Sequence, residues 1–335
     1  MGGSIRVVRC VRFTRPGGLE VIELANVPDP KPGPDEVLVR VRAAGLNRAD
    51  LLQRLGKYPA PLGSPADIPG LEFAGEVEVL GERVREWGLG DRVMGIAGGG
   101  AQAQRLVTHA RLLTRIPAAL GFEEAACLPE AFLTAHDALV TQGGFRSGQA
   151  VLIHAVGSGV GTAALQLVRA GGGLAIGSSR SSEKLSRAVG LGLHHGIEVG
   201  PERRFATQVQ ALTQVRGVDI ILDFVGAPYL AENLAALAPR GHLAFLGTLG
   251  GAEGNLDIAV MLRKRLTLFG TTLRHRPLEE KIAATQAFAT EVLPQLVRGL
   301  LRPVLDTVFP MEEVRAAHER MGRDEGFGKL VLRMD

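Results

Sequence analysis

Cysteine is nearly absent from this chain of 335 residues: Cys10 and Cys127 are the two it has. That excludes a disulfide framework and a cysteine-rich zinc site, and it points to a reducing, cytoplasmic compartment. Aromatic side chains are scarce too, at 4% with one Trp, two Tyr and twelve Phe, and they form no basic-aromatic stripe on which single-stranded nucleic acid could stack. The formal net charge is only +3. It reflects many arginines without a basic tail, and argues against nucleic acid as a partner. No apolar run reaches bilayer-spanning length, which argues against a membrane partner, and residues 1–6 lack the apolar core of a signal peptide. What remains is the composition of a globular enzyme, 46% hydrophobic and 22% charged, with length enough for two domains.

Glycine is plentiful, and three glycines mark the stretch that organises the chain. Gly157, Gly159 and Gly161 lie between an apolar run at 150–153, read as a buried strand, and residues 162–170, apolar at helical spacing. A strand, a glycine-rich turn and a helix suit a pyrophosphate. Glycine lets the backbone approach closely, and the helix start offers unpaired N–H groups and a positive dipole end. The spacing differs from G-x-G-x-x-G; from Ala155 it runs Ala-x-x-Ser-x-x-Gly. Alone it would equally describe a tight turn without a ligand. The next strand, 174–178, decides. It runs into Ser179, Arg180, Ser181 and Ser182, with Lys184 close behind. A site preferring NAD needs a carboxylate there for the ribose hydroxyls, whereas hydroxyls and two cations bind a phosphate. The site therefore reads as built for NADPH, with Ser158, Gly159, Val160 and Gly161 at the pyrophosphate and Ser179, Arg180, Ser181 and Lys184 at the extra phosphate. The competing reading is a solvated turn with a helix N-cap at Ser181 or Ser182.

Around this centre the pattern changes once. Residues 5–46 look like β structure: 5–13 alternates in part, 27–34 is a stiff proline-rich connector, and 36–43 alternates as a half-buried strand. Asn47 is placed to N-cap a short helix opening at Arg48, with Asp50 at its third position. Strands follow at 68–77 and 90–95. From about Glu123 helices and strands alternate, with helices at 125–139 in part, 184–191, 206–215 and 229–237, and strands at 196–199, 218–223, 242–247 and 266–270. Such alternation builds a parallel, doubly wound sheet. Helices at 279–298 and 311–321 come next, and 329–332 is a closing strand returning to the first domain.

Several separated motifs now stand in order: Ala-Gly-Leu-Asn-Arg-Ala-Asp at 44–50, Ile-Pro-Gly-Leu-Glu at 68–72, Pro-Glu-Ala-Phe-Leu-Thr-Ala at 129–135, the glycine turn, and Gly-Phe-Gly-Lys-Leu-Val at 326–331. Through them the chain resembles the zinc-independent quinone oxidoreductases, the zeta-crystallin branch of the medium-chain dehydrogenase/reductase superfamily, over nearly its whole length. The resemblance implies an α/β protein with a GroES-like β-rich catalytic domain in two parts, 1–124 and 271–335, around a Rossmann NADPH-binding domain at 125–270. The superfamily's zinc enzymes hold their metal with Cys, His and Cys. Those positions here correspond to Asn47, Leu71 and Glu130, and Asn and Leu are not zinc ligands. No metal is expected, and so no Lewis acid to polarise an alcohol or carbonyl. An acceptor that is already electrophilic, a quinone or an enone, becomes the natural substrate.

The resemblance also implies roles. Asn47 and Tyr58 would line the acceptor space and hydrogen-bond its oxygen as negative charge develops. Thr134 would meet the nicotinamide end, and Lys329 would contact the cofactor. Backbone groups at Gly247, Thr248, Leu249, Gly250, Phe269, Gly270, Thr271 and Leu273 would hold the nicotinamide amide, beyond strand ends where such sheets bind ligands. Some relatives carry a tyrosine near the adenosine phosphate, where Val199 stands here. Simpler roles compete at several positions: Tyr58 packing with Pro59 and Pro61, Glu72 paired with an arginine, His154 as a satisfied core residue. The edge strand at 266–271 is expected to pair in a homodimer. The function expected is NADPH-dependent reduction of quinones by hydride transfer without zinc. The rivals are a 2-alkenal or enoyl reductase on the same fold, and a non-enzymatic crystallin-like or RNA-binding role.

Overall fold

A computed structural model describes residues 7–334; residues 5 and 6 of the expected first strand lie outside them. The chain opens with β1 (Val7–Phe13), β2 (Ile22–Pro28), β3 (Glu36–Gly45), α1 (Arg48–Arg54), β4 (Glu72–Leu80), β5 (Arg92–Ile96), β6 (Arg105–His109), β7 (Leu113–Arg115) and α2 (Phe122–Ala125). Helix and strand then alternate: α3 (Pro129–His136), β8 (Ala150–Ile153), α4 (Gly159–Ala170), β9 (Leu174–Ser179), α5 (Ser182–Val189), β10 (His195–Glu198), α6 (Ala206–Leu212), β11 (Val218–Asp223), α7 (Leu230–Ala236), β12 (Leu237–Phe245), α8 (Ile258–Lys264) and β13 (Thr267–Gly270). It closes with α9 (Leu278–Ala287), α10 (Leu293–Val297), β14 (Leu305–Pro310), α11 (Val314–Gly322) and β15 (Lys329–Arg333).

Two units result. Unit one takes the chain up to Glu130, then Leu273–Pro294 and the segment from Pro303 onward. Its main sheet has seven strands in the order β14-β15-β3-β4-β5-β7, with β6 also on β3, and β1 and β2 form a separate antiparallel pair. The alternation of β3 suggested a half-buried strand, but Val37, Leu38, Val39, Val41, Ala43 and Ala44 are all buried. The reason is its neighbours: β4, β6 and β15 all pair with it, and its side chains pack with Phe73, Val93 and Leu332 in one core. The closing strand does return to this unit. It runs antiparallel to β3 with Val331 opposite Gly45, and Leu46 N–H donates to Leu330 C=O at 2.8 Å. That register brings the start of β15 beside the entry to α1.

Unit two comprises Ala131–Thr272 and Gln295–Arg302. Its six-stranded sheet has the order β10-β9-β8-β11-β12-β13, and every pairing is parallel. The chain starts in the middle at β8, winds one way to β10, then crosses back to β11. The reversal between β8 and β11 is a topological switch point, outside whose carboxyl ends such sheets bind ligands. All four residues of β8 are buried, as an apolar run flanked by strands on both sides requires, and Leu152, Ile176, Ile221 and Leu243 share a core with Phe205.

Two expected helices end early. The helix anticipated over 279–298 stops at Ala287, passes through a wider π turn at Phe288–Val292 and resumes as α10. Pro294 explains this: it has no N–H to give, and its ring crowds the carbonyl four residues back, so a locally widened turn relieves both. The helix at 206–215 ends at Leu212, because Gln214 and Val215 take left-handed φ values of 52° and 65°. Among the described residues no helix is long and apolar enough to cross a membrane.

Candidate active site

In unit two the glycine turn becomes the start of a twelve-residue helix, α4. Ser158 is its N-cap, and its Oγ accepts the Gly161 N–H at 3.0 Å. Gly161 has no room for a side chain: a Cβ would lie 2.5 Å from the Ala155 carbonyl. Ala155 itself takes a left-handed φ of 45°, so the turn is tighter than alanine prefers. With Gly159 and Val160 opening the helix, backbone N–H groups and the dipole end are presented outside β8, an arrangement that can hold a pyrophosphate.

The end of β9 carries the second group. Ser181 is the N-cap of α5, accepting the Lys184 N–H at 3.3 Å, and its own N–H donates to Ser179 Oγ at 3.1 Å. The N-cap that competed with the phosphate reading is therefore present. It engages Ser181 Oγ as an acceptor, with Arg180 just before it and Lys184 in the first turn of α5. Val199 is buried at 3% exposure and only packs. Beyond β12, Leu249 N–H and Gly250 N–H donate to Phe224 and Val225 carbonyls at 3.1 and 2.8 Å, fixing the 247–250 loop. Beyond β13, Thr271 N–H donates to Phe245 C=O at 3.1 Å, and its Oγ1 donates to Asp137 at 3.2 Å and accepts from Gln142 at 2.8 Å. Thr134 lies half-buried in α3. Apart from Thr134 and Val199, these groups follow the carboxyl ends of β8, β9, β12 and β13.

Just beneath that edge, His154 is fully buried. Its Nδ1 lies 2.6 Å from Ser178 Oγ and its Nε2 2.7 Å from Asn233 Oδ1, while Asn233 donates to Asp223 at 2.9 Å. Burial pulls this imidazole below its ordinary range. It is a satisfied core histidine stapling three strands.

Unit one holds Asn47, Tyr58, Leu273 and Lys329. Lys329, at the head of β15, sends its ammonium to three acceptors: Leu46 C=O at 2.6 Å, Asn47 Oδ1 at 2.6 Å and Glu72 Oε1 at 2.5 Å. Glu72 is wholly buried, and the arginine expected as its partner is replaced by this lysine. It also accepts Asn47 Nδ2 at 3.0 Å and the Glu130 N–H at 2.8 Å, the latter at the start of α3. Asn47 occupies the N-cap position of α1, but its carboxamide points into the cluster. The cap is closed from the other side by Asp50, which accepts the Asn47 N–H at 2.8 Å and the Gly70 N–H at 3.1 Å. Burial raises Asp50 to about 6.

Tyr58 is braced by unit-one neighbours. Its ring meets His275 edge-on at 4.9 Å and lies 5.2 Å from the Arg274 guanidinium. Arg274 in turn donates to Gln53 Oε1 at 2.6 Å, Gly98 C=O at 2.8 Å and Tyr58 C=O at 3.1 Å. Beside it opens a small pocket of about 30 Å³. Ile96, Leu112 and Leu273 give it apolar walls, and Glu130, Arg274 and Lys281 its polar ones. Sequence reasoning passed over Glu130, Arg274 and Lys281 as site residues. The signal for Glu130 was available, a carboxylate where a zinc ligand stands in related enzymes; nothing local marks the two cations.

Zinc does not fit here. Leu71 has no donor atom, and the oxygen of Asn47 is taken by an ammonium; among the described residues no group of three His, Cys, Asp or Glu is placed to hold a metal.

Comparison with known proteins agrees with this architecture. A model of the alcohol dehydrogenase GroES-like domain matches residues 33–134, and one described as zinc-binding dehydrogenase matches 159–290. A quinone oxidoreductase from Pseudomonas aeruginosa is 33% identical over 96% of this chain and 98% of its own. A solved NAD-dependent alcohol dehydrogenase superposes with a TM-score of 0.87 at 32% identity, covering 98% of this chain and 100% of its own. A mycobacterial protein solved with NADPH reaches 0.88 at 27% identity, covering 97% and 99%.

Proposed function

The chain belongs to the quinone oxidoreductase family of the medium-chain dehydrogenase/reductases and takes a nicotinamide cofactor; from that premise we propose that it reduces quinones with NADPH, by hydride transfer without a metal. One observation carries the reading: where related enzymes hold zinc this chain has Leu71, which has no donor atom, and Asn47, whose carboxamide oxygen accepts the Lys329 ammonium at 2.6 Å, so these residues cannot hold a Lewis acid. An acceptor must then be electrophilic by itself, and a quinone is. The bound nicotinamide supplies the hydride; the protein's work is position and charge. Ser158, Gly159, Val160 and Gly161 hold the pyrophosphate. Ser179, Arg180, Ser181 and Lys184 hold the ribose phosphate that separates NADPH from NADH. Thr134, the 247–250 loop, Phe269, Gly270, Thr271 and Leu273 fix the nicotinamide end. Tyr58 and Asn47 address the acceptor oxygen, and Lys329, which holds the Asn47 carboxamide, supports the cofactor end through that cluster.

The same reading includes a homodimer formed along β13, the sheet's edge strand, next to the exposed Ile258 and Leu262 of α8, since an open edge invites pairing. It includes a cytoplasmic setting, suited to two buried free thiols. The test is steady-state oxidation of NADPH and of NADH with 1,4-naphthoquinone, trans-2-hexenal and crotonyl-CoA. Naphthoquinone should give the highest kcat/KM, and NADPH should exceed NADH by at least about tenfold, the worth of one charge-assisted hydrogen bond. Turnover of the two alkenes alone would leave the quinone reading without support.

A further inference from the structure

We propose that Glu130 is the proton donor of this enzyme, delivering to the reduced acceptor the proton that must accompany the hydride. The inference rests on the reading that the chain reduces a quinone or enone whose oxygen Tyr58 addresses, and goes beyond it in naming the acid. Three observations carry it. Glu130 lines the small pocket together with Arg274, whose guanidinium lies 5.2 Å from the ring of Tyr58. The Glu130 backbone is pinned, N–H to Glu72 at 2.8 Å, so the side chain is aimed from a fixed point. Arg274 and Lys281 share the same wall and are placed to balance the carboxylate once the proton has gone.

The ionisation behaviour is consistent with this. Burial, and then the Glu72 carboxylate of β4, push Glu130 up to about 8. Asp50 of α1 adds to that push, while Lys329 of β15 and Arg274 oppose it. Lys281 of α9, itself lowered by burial, feels the same carboxylate. The group is therefore protonated at neutral pH, as a general acid must be. The other buried carboxylate of the cluster cannot take the role: both Glu72 oxygens already accept hydrogen bonds from Lys329, Asn47 and Glu130.

The step balances. A hydride and its electron pair leave the dihydronicotinamide, which is oxidised, and reduce the quinone to a hydroquinone anion. The carboxyl O–H of Glu130 breaks, its electron pair stays on the carboxylate, and a new O–H forms on the anion. Phenols titrate at about 10, so transfer from Glu130 runs downhill. Solvent protonates the carboxylate before the next turnover. With an enone the hydride adds to the β-carbon and the same proton goes to the α-carbon.

The experiment compares wild type, E130Q and E130D as full-length enzyme, with 1,4-naphthoquinone and with trans-2-hexenal. Wild-type kcat/KM should be level at neutral pH and fall as pH rises through about 8, where the acid is lost. In E130Q, kcat should drop about 10²- to 10⁴-fold, the usual worth of a positioned acid, and the alkaline limb should vanish. KM for NADPH should hold, and E130D should keep the limb at reduced rate. Wild-type kcat and an intact limb in E130Q would overturn the proposal while leaving the quinone reading standing. Wild type turning over neither acceptor would overturn both. An E130Q protein that fails to bind NADPH, by quenching of the cofactor's fluorescence, would show that Glu130 holds the fold and is not the acid.

Discussion

Lys329 shows how one residue's role turns on its partners. By resemblance it is a cofactor contact; in the structure its ammonium donates to Leu46, Asn47 and Glu72, and it is 5% exposed. A lysine placed this way first of all neutralises Glu72. Removing it with K329M strands a carboxylate in the interior, and breaking a buried pair costs about 3–5 kcal/mol. The urea midpoint should fall accordingly, while E72Q/K329M should recover part of the loss because no bare charge is left behind. KM for NADPH in K329M should rise along with the fall in the urea midpoint, because the cluster that supports the cofactor end is lost with it. A KM that climbs while the urea midpoint stands still would mark Lys329 as a direct cofactor contact. Gly45 belongs to the same design. A Cβ there would sit 2.3 Å from Glu72 Oε1 and 2.6 Å from the Ala126 carbonyl, so the strand yields its side chain to the carboxylate.

At the scale of elements, the two turns that follow β8 and β9 should separate by ligand. Substituting both Arg180 and Lys184 with Ala removes charge from the β9–α5 turn but keeps the Ser181 N-cap. KM for NADPH should rise by about tenfold or more per charge-assisted hydrogen bond lost, at about 1.5–3 kcal/mol each, and KM for NADH should barely move. G161A, which drives a methyl into the Ala155 carbonyl, should weaken both cofactors alike. Equal losses for NADPH and NADH in R180A/K184A would put the phosphate pocket elsewhere. These elements were legible because their signals are local: four consecutive apolar residues for β8, serine ahead of a helical run for both caps. The acceptor side was not, for a physical reason. Asn47, Glu72 and Lys329 meet only through the register of β15 on β3 and β4 beside it, across more than 250 residues of sequence. Periodicity says which face a residue takes, never which distant residue shares it. The break in the 279–298 helix was readable from Pro294; the apolar spacing on both sides hid it.

Across the molecule, buried ionisable groups set how stability answers to pH, and unit one can be watched alone. The chain's one Trp, Trp87, is there, donating to the Ala110 carbonyl at 2.9 Å. His318 of the same unit is buried against Phe13 with Arg54 beside it, and burial pulls it down to about 3. Below about pH 6.5 the unfolded chain takes a proton that the fold refuses, so this group erodes stability as pH drops. Asp50 and Glu130 act oppositely. Their folded values, about 6 and about 8, stand above those of free carboxyls, so the fold takes up protons that the unfolded chain declines until about pH 4. Each gains stability as pH falls through its folded value. Between pH 8.5 and 6.5 Glu130 is the main contributor, at no more than about 1.4 kcal/mol per pH unit, less whatever solvent at the pocket mouth screens, with a small addition near pH 8.5 from the buried thiols Cys10 and Cys127, both raised by burial. From pH 6 to 4 two carboxyls outweigh one imidazole; below that His318 and the carboxylates held low by their partners, Asp306 and Asp91 among them, all erode stability. Urea melts followed by Trp87 fluorescence should therefore show unit one more stable at pH 5 than at pH 8.5. E130Q should flatten the alkaline part of the curve, and H318Q should lessen the loss below pH 4. If wild-type stability instead declines steadily from pH 8.5 to 5, Glu130 is ionised throughout that range and has no proton to give at neutral pH.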